Sequence, residues 1–203
     1  MQKSNHKLII FKAKTSTNMD NQFLSLSIKL FNYYKELGEK AMKQIAAEKL
    51  FISPNIESNS IAIIVQHLHG NMLSRWTDFL TTDGEKPNRN RDSEFEHLLK
   101  TPEELLISWE AGWKVLLDTL EGLTESDMTQ IVYIRNEGHS VAEAITRQIA
   151  HYAYHVGQIV FIAKMYSSDD WQSLSIPRNK SVDYNNQKFQ EDKRMGFLRI
   201  RYS

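Results

Sequence analysis

Four stretches of about twenty residues, each with apolar side chains recurring every three or four positions, restrict this chain more than any other feature. The first runs from Gln22 to about Ala47, with Phe23, Leu26, Leu30, Phe31, Tyr34, Leu37, Ala41, Met42 and Ile45 in helical register, broken only by Gly38. The second, from about Ser60 to Leu80, holds Ile63, Ile64, His67, Leu68, Met72, Trp76 and Phe79. Thr101-Pro102-Glu103-Glu104 opens the third with an N-cap, a proline at the first helical position and an acid at N3, and Gly122 closes it. Ser140-Val141-Ala142-Glu143 caps the fourth in the same way, and its pattern runs to about Met165. Trp109 and Trp113, at i,i+4 on the third, suit packing in a core or a dimer interface better than ligand stacking. The expected fold is all-α, a four-helix bundle.

The connections complete this architecture. Phe51–Asn59, with Pro54, reads as a loop ending in N-cap chemistry. Thr82–Leu99 is polar and charged, with Pro87 and the run Asn88-Arg89-Asn90-Arg91-Asp92, and is expected to be a long solvated crossover. Ile131–Ile134 is β-branched and aromatic, and Asn136-Glu137-Gly138 reads as a turn, predicting a small β-hairpin before the last helix. Residues 1–18 are expected to be a disordered N-terminal extension, 19–177 the bundle, and 178–203 a polar, basic tail. Within that tail, Phe197–Tyr202 alternates as a strand would, without a partner strand.

Composition narrows the chemistry. Cysteine is absent, which excludes disulfides, thiolate ligands and a cysteine nucleophile, so a bound metal must use histidine, carboxylate, carbonyl or water. Net charge is zero, but residues 1–18 carry +4, residues 188–203 carry +3 and residues 19–187 therefore −7. An acidic body argues against nucleic acid as a partner. The apolar runs are too short to span a bilayer, and the start has neither the long apolar stretch nor the cleavage site of a secretory signal, so a cytoplasmic location is expected.

His151 and His155 stand one turn apart on the fourth helix. Ala144, Gln148, Gln158 and Ile162 fall within about 60° of His151, whereas Glu143 and Lys164 lie roughly 80° and 140° away. The histidine stripe should thus face the bundle interior, where two imidazoles need partners or a shared cation. Spacing alone also fits histidines satisfied by hydrogen bonds or by solvent. On the second helix His67 sits among Ile63, Ile64 and Leu68, and His69 points about 160° away, so His67 is the better third ligand. Asn71, Ser74 and Asp78 continue along its face, either lining a polar cavity or marking where that face meets solvent. Three histidines suit zinc, nickel or another divalent first-row metal, with positions left for water.

Ile64-Val65-Gln66-His67-Leu68 followed by Trp76, and later His151-Tyr152-Ala153-Tyr154-His155-Val156-Gly157-Gln158-Ile159, resemble the DinB/YfiT-like superfamily of metal-binding four-helix bundles. The segment Gly70–Leu80 resembles an uncharacterised bacillary branch of it, a domain of unknown function, and the resemblance spans about Met19 to Lys180. It implies that His67, His151 and His155 are metal ligands, that Gly157 permits close helix packing, and that the protein is a homodimer. His69 stands where members usually have a small residue. The resemblance further implies a metal-dependent S-transferase using a low-molecular-weight thiol, of the bacillithiol type in bacillary members. Other readings are a non-catalytic metal-binding or metal-free dimeric bundle, and a metal-dependent hydrolase.

Overall fold

Capping sets the helix boundaries. In the computed structural model, which describes residues 16–167 and 170–193 and side chains from residue 21 onward, Ser60 accepts the Ile63 N–H at 3.2 Å and opens α2 (Ile61–Trp76). Thr101 and Glu104 form a reciprocal capping box at the start of α3 (Pro102–Gly122), and Ser140 and Glu143 do the same for α4 (Val141–Tyr166). The first helix, α1, spans Ser16–Met42, beginning six residues before the apolar pattern and ending short of Ala47, where a 3-10 turn over Ala47–Phe51 takes over. Residues 1–15 and the Phe197–Tyr202 stretch lie outside the described residues. A short exposed helix, α5 (Ser181–Phe189), forms within the stretch read as a tail.

Two boundaries differ from the sequence reading. α2 stops at Trp76 rather than near Leu80, because Asp78 adopts a left-handed conformation (φ 49°) and its carbonyl then receives the N–H groups of Thr81 and Thr82. The hairpin pairs β1 (Ile131–Ile134) with β2 (Glu137–Ser140), Ile134 opposite Glu137 and Tyr133 opposite Gly138. Its turn is therefore Arg135-Asn136, both at positive φ, one residue earlier than expected. The Asp83 carboxylate fixes that turn by accepting the backbone N–H groups of Arg135 and Asn136, each at 2.8 Å.

The four long helices pack in the cyclic order α1, α4, α2, α3. Thr119 reaches the Trp76 carbonyl at 3.0 Å, and Gly112 lies against His69, so α2 and α3 run parallel. Each helix sends one aromatic ring to the centre: Phe31, Trp76, Trp113 and Tyr152 meet mostly edge to face, with centroids 5.8–6.5 Å apart. Trp109 and Trp113 are thus core residues of the chain itself. Gly38 interrupts the α1 pattern for a packing reason, since a Cβ there would lie 2.7 Å from the Trp109 ring.

A parallel α2/α3 pair requires the chain to travel back along α2 before α3 can start, and the long crossover does this. Ser74 holds Gly84 and Lys86, and at the other end of α2 Gln66 donates to the Ser93 and Glu96 carbonyls at 2.8 and 3.0 Å and accepts from Leu99 N–H. The expectation of a solvated loop is corrected here: a 3-10 turn over Asp92–Phe95 folds Glu94 inward to 6% exposure.

Candidate metal centre

The position of the histidines follows from the core beneath them. Tyr152, next to His151, is fully buried, accepts from Trp76 Nε1 at 3.0 Å and donates to Asn71 Oδ1 at 2.9 Å. These two bonds tie the rotation of α4 to α2 at the level where His67 faces His151 and His155. Nε2 of His151 lies 3.4 Å from Nε2 of His67 and 3.2 Å from Nε2 of His155, and one ring nitrogen from each residue falls within 4.8 Å of the others. Tetrahedral ligands at ~2.0–2.1 Å from a zinc-sized ion are separated by about 3.3 Å. Two of the three separations already match that spacing.

The opposite edge of each ring is anchored. His67 Nδ1 lies 2.9 Å from Glu94 Oε2, His155 Nδ1 2.9 Å from Gln158 Oε1, and His151 Nδ1 3.3 Å from Gln148 Oε1. Oxygen acceptors on all three Nδ1 atoms select the Nδ1–H tautomer and leave the Nε2 lone pairs converging. Burial, with help from His155, His67 and the Arg75 and Arg89 guanidiniums, pushes His151 down to about 3. Burial and His67 push His155 down to about 4, against the opposing bond from Gln158. Both rings are neutral near pH 7, the state that ligation needs.

Glu94 carries the polar wall behind His67. Burial alone would raise its pKa, but hydrogen bonds from His67 and from Arg89 hold it below the ordinary carboxylate range. Arg89 grips it through Nε and Nη2 at 2.7 and 2.9 Å and reaches Glu85 at 3.1 Å. Gly70 makes room for this arrangement, since a Cβ there would lie 2.7 Å from Glu94 Cδ and closer still to a carboxylate oxygen.

The site residues expected from sequence come together: His67, His151 and His155 line one polar cavity of about 420 Å³ with Asn71, Gln148 and Gln158. His69 faces a different cavity, on the far side of Glu94. Ser74 is buried but serves the crossover, and Asp78 is exposed at the end of α2. Gly157 is not a packing glycine among the described residues, since a Cβ there would meet none of their atoms within 4 Å. Glu94 and Arg89 were missed altogether. Both sit in a polar run with no periodicity, and the only signal was the length of the crossover between two well-capped helices.

Known proteins give the same architecture. The crystal structure of a DinB-like protein of Bacillus subtilis, YjoA, superposes with a TM-score of 0.54 at 16% identity, over 75% of this chain and 96% of that one. No curated protein matches the sequence. Residues 18–180 match the family described as "Protein of unknown function (DUF1572)". The chain therefore belongs to that family and is built on the DinB-like four-helix fold.

Proposed function

We propose that His67, His151 and His155 bind one divalent cation, zinc or nickel, through their Nε2 atoms, and that the protein is a metal-dependent S-transferase of a low-molecular-weight thiol, acting in the cytoplasm as a homodimer. One observation carries the metal reading: three imidazoles converge through Nε2 while every Nδ1 has an oxygen acceptor. The donor set fits these ions, being three neutral nitrogens with space in the cavity for further ligands. A bound cation supplies Lewis acidity that lowers the pKa of a coordinated thiol. The residues around it have separate tasks. Glu94, Gln148 and Gln158 orient the rings, Arg89 holds Glu94 in place, and the Tyr152–Asn71 bond fixes the two helices against each other.

The transfer reading also draws on a second cavity, of about 700 Å³, where Pro54, Ile64, Phe161, Ile162 and Met165 supply apolar surface beside the polar Asn55, Glu57 and Ser58. It meets the histidine cavity at Asn59, Tyr154 and Gln158, which line both, and offers an apolar electrophile a place beside the cation. Elemental analysis of purified protein against His151→Ala tests the metal site, with one cation per chain expected in wild type and little in the variant. Thiol consumption with a chloroarene, in zinc- and nickel-loaded protein, tests the reaction. Loaded protein that turns over no low-molecular-weight thiol leaves a non-catalytic metal-binding bundle, and sedimentation equilibrium decides between monomer and homodimer.

A further inference from the structure

The histidine cavity is far more basic than the protein around it. Arg75, Arg89, Arg91, Arg135 and Arg147 all line it, and among the described residues no aspartate or glutamate does. Two carboxylates stand behind the wall: Glu94 pairs with Arg89, and Glu85 is shared by Arg75, Arg89 and Arg135. Five guanidiniums against two carboxylates leave three positive charges, in a chain whose residues 19–187 carry −7 overall. Arg91 and Arg147 have no carboxylate partner among the described residues.

Both free guanidiniums are positioned by the metal-centre elements themselves. Phe95 stacks on His67, with centroids 4.9 Å apart and planes at 28°, and the Arg91 guanidinium lies over the Phe95 ring, 5.0 Å from its centroid. Arg147 is one turn before His151 on α4, on the same face, and its Nη1 is 3.3 Å from His139 Nε2 of β2. Guanidiniums held by stacking and by a neighbouring ring lose little further freedom on gripping an anion, and their planar forks match carboxylate and phosphate oxygens. Low-dielectric walls focus such a field on whatever enters.

We propose that the ligand of this cavity bears a carboxylate or phosphate group in addition to the atom that seeks the cation, and that Arg91 and Arg147 bind that group. This rests on the metal reading above and specifies the class of thiol: an anionic one rather than a neutral one.

The test uses the full chain loaded with cobalt(II), whose sulfur-to-metal charge-transfer absorption reports thiol binding. Mercaptosuccinate and 2-mercaptoethanol present the same donor with and without carboxylates. Mercaptosuccinate should bind at least about tenfold more tightly at low salt, and the preference should shrink as salt rises. Arg91→Gln and Arg147→Gln, both exposed and free of ion pairs, should each lose most of it and leave 2-mercaptoethanol unchanged. Displacement by malonate but not inorganic phosphate, or the reverse, identifies which oxyanion the forks prefer. Equal affinities in cobalt-loaded wild type overturn the proposal alone, and so does a preference that survives in both variants, which is chelation by the thiol's own carboxylates. Failure of cobalt to load overturns the metal reading and this inference with it.

Discussion

Glu94→Gln separates a carboxylate that orients a metal ligand from one that merely neutralises an arginine. Glu94 is 6% exposed, accepts from Arg89 twice and faces His67 Nδ1 at 2.9 Å. Glutamine keeps the shape but removes the charge, and its amide presents either an oxygen to His67 or an NH2, which would push the ring's proton onto Nε2. Losing an oriented outer-shell partner typically lowers metal affinity 10–100-fold, about 1.4–2.7 kcal/mol. The metal-free fold should also lose about 2–3 kcal/mol, less than a fully orphaned buried charge costs, because Arg89 retains Glu85 at 3.1 Å. Zinc affinity is read by competition with a chromogenic chelator, and stability by urea denaturation with a strong chelator present. His69→Ala is the control, since His69 lines the cavity on the other side of Glu94, and it should leave zinc affinity unchanged. Zinc affinity of Glu94→Gln within about twofold of wild type, alongside loss of binding in His151→Ala, would refute the orienting role.

Gly70→Ala places a methyl group against the Glu94 carboxylate, so both zinc affinity and stability should drop, the latter by about 1–3 kcal/mol. Gly157→Ala meets nothing among the described residues and should stabilise α4 by about 0.5–1 kcal/mol in urea titrations, unless a second copy packs there, in which case it weakens the dimer. Tyr152→Phe leaves Trp76 Nε1 and Asn71 Oδ1 without their shared partner and should cost about 1–3 kcal/mol in the same assay. The metal-free protein should lose stability in acid. His151 and His155 have folded pKa values of about 3 and 4, below the ordinary histidine value, so the unfolded chain binds more protons as pH falls from about 6.5 toward 4. Full expression of both shifts costs about 4 kcal/mol by pH 5, and because His151 is only half-buried the expected loss is about 2–4 kcal/mol; urea midpoints that do not change between pH 7.5 and 5 would contradict neutral, desolvated rings.

What the sequence disclosed, and what it concealed, divides along local and non-local causes. Helix starts at Ser60, Thr101 and Ser140 were legible because a cap is decided by residues three apart. That His67 and not His69 faces His151 and His155 was legible because a helix converts sequence spacing into direction. The end of α2 and the Arg135-Asn136 turn were not, since Asp78 and Asp83 act through bonds that exist only after the crossover has docked. Glu94 is the extreme case. A charged residue in a polar run has the same local signature whether it ends up solvated or buried.

The topology accounts for that burial. Because α2 and α3 run parallel, the chain between them must retrace α2, a 16-residue helix about 24 Å long, and cannot use the short turn that suffices for antiparallel neighbours. Its hydrogen bonds mark the return path, from Ser74 near the end of α2 to Gln66 near the start, and His67 lies beside the last of these anchors. The returning segment therefore passes the one histidine that α4 does not supply. It delivers Glu94 to the Nδ1 edge of that ring and Phe95, carrying Arg91, to its face. The crossover that parallel packing requires is thus also the element that sets the tautomer of His67 and brings Arg89 and Arg91 to the cavity in front of it.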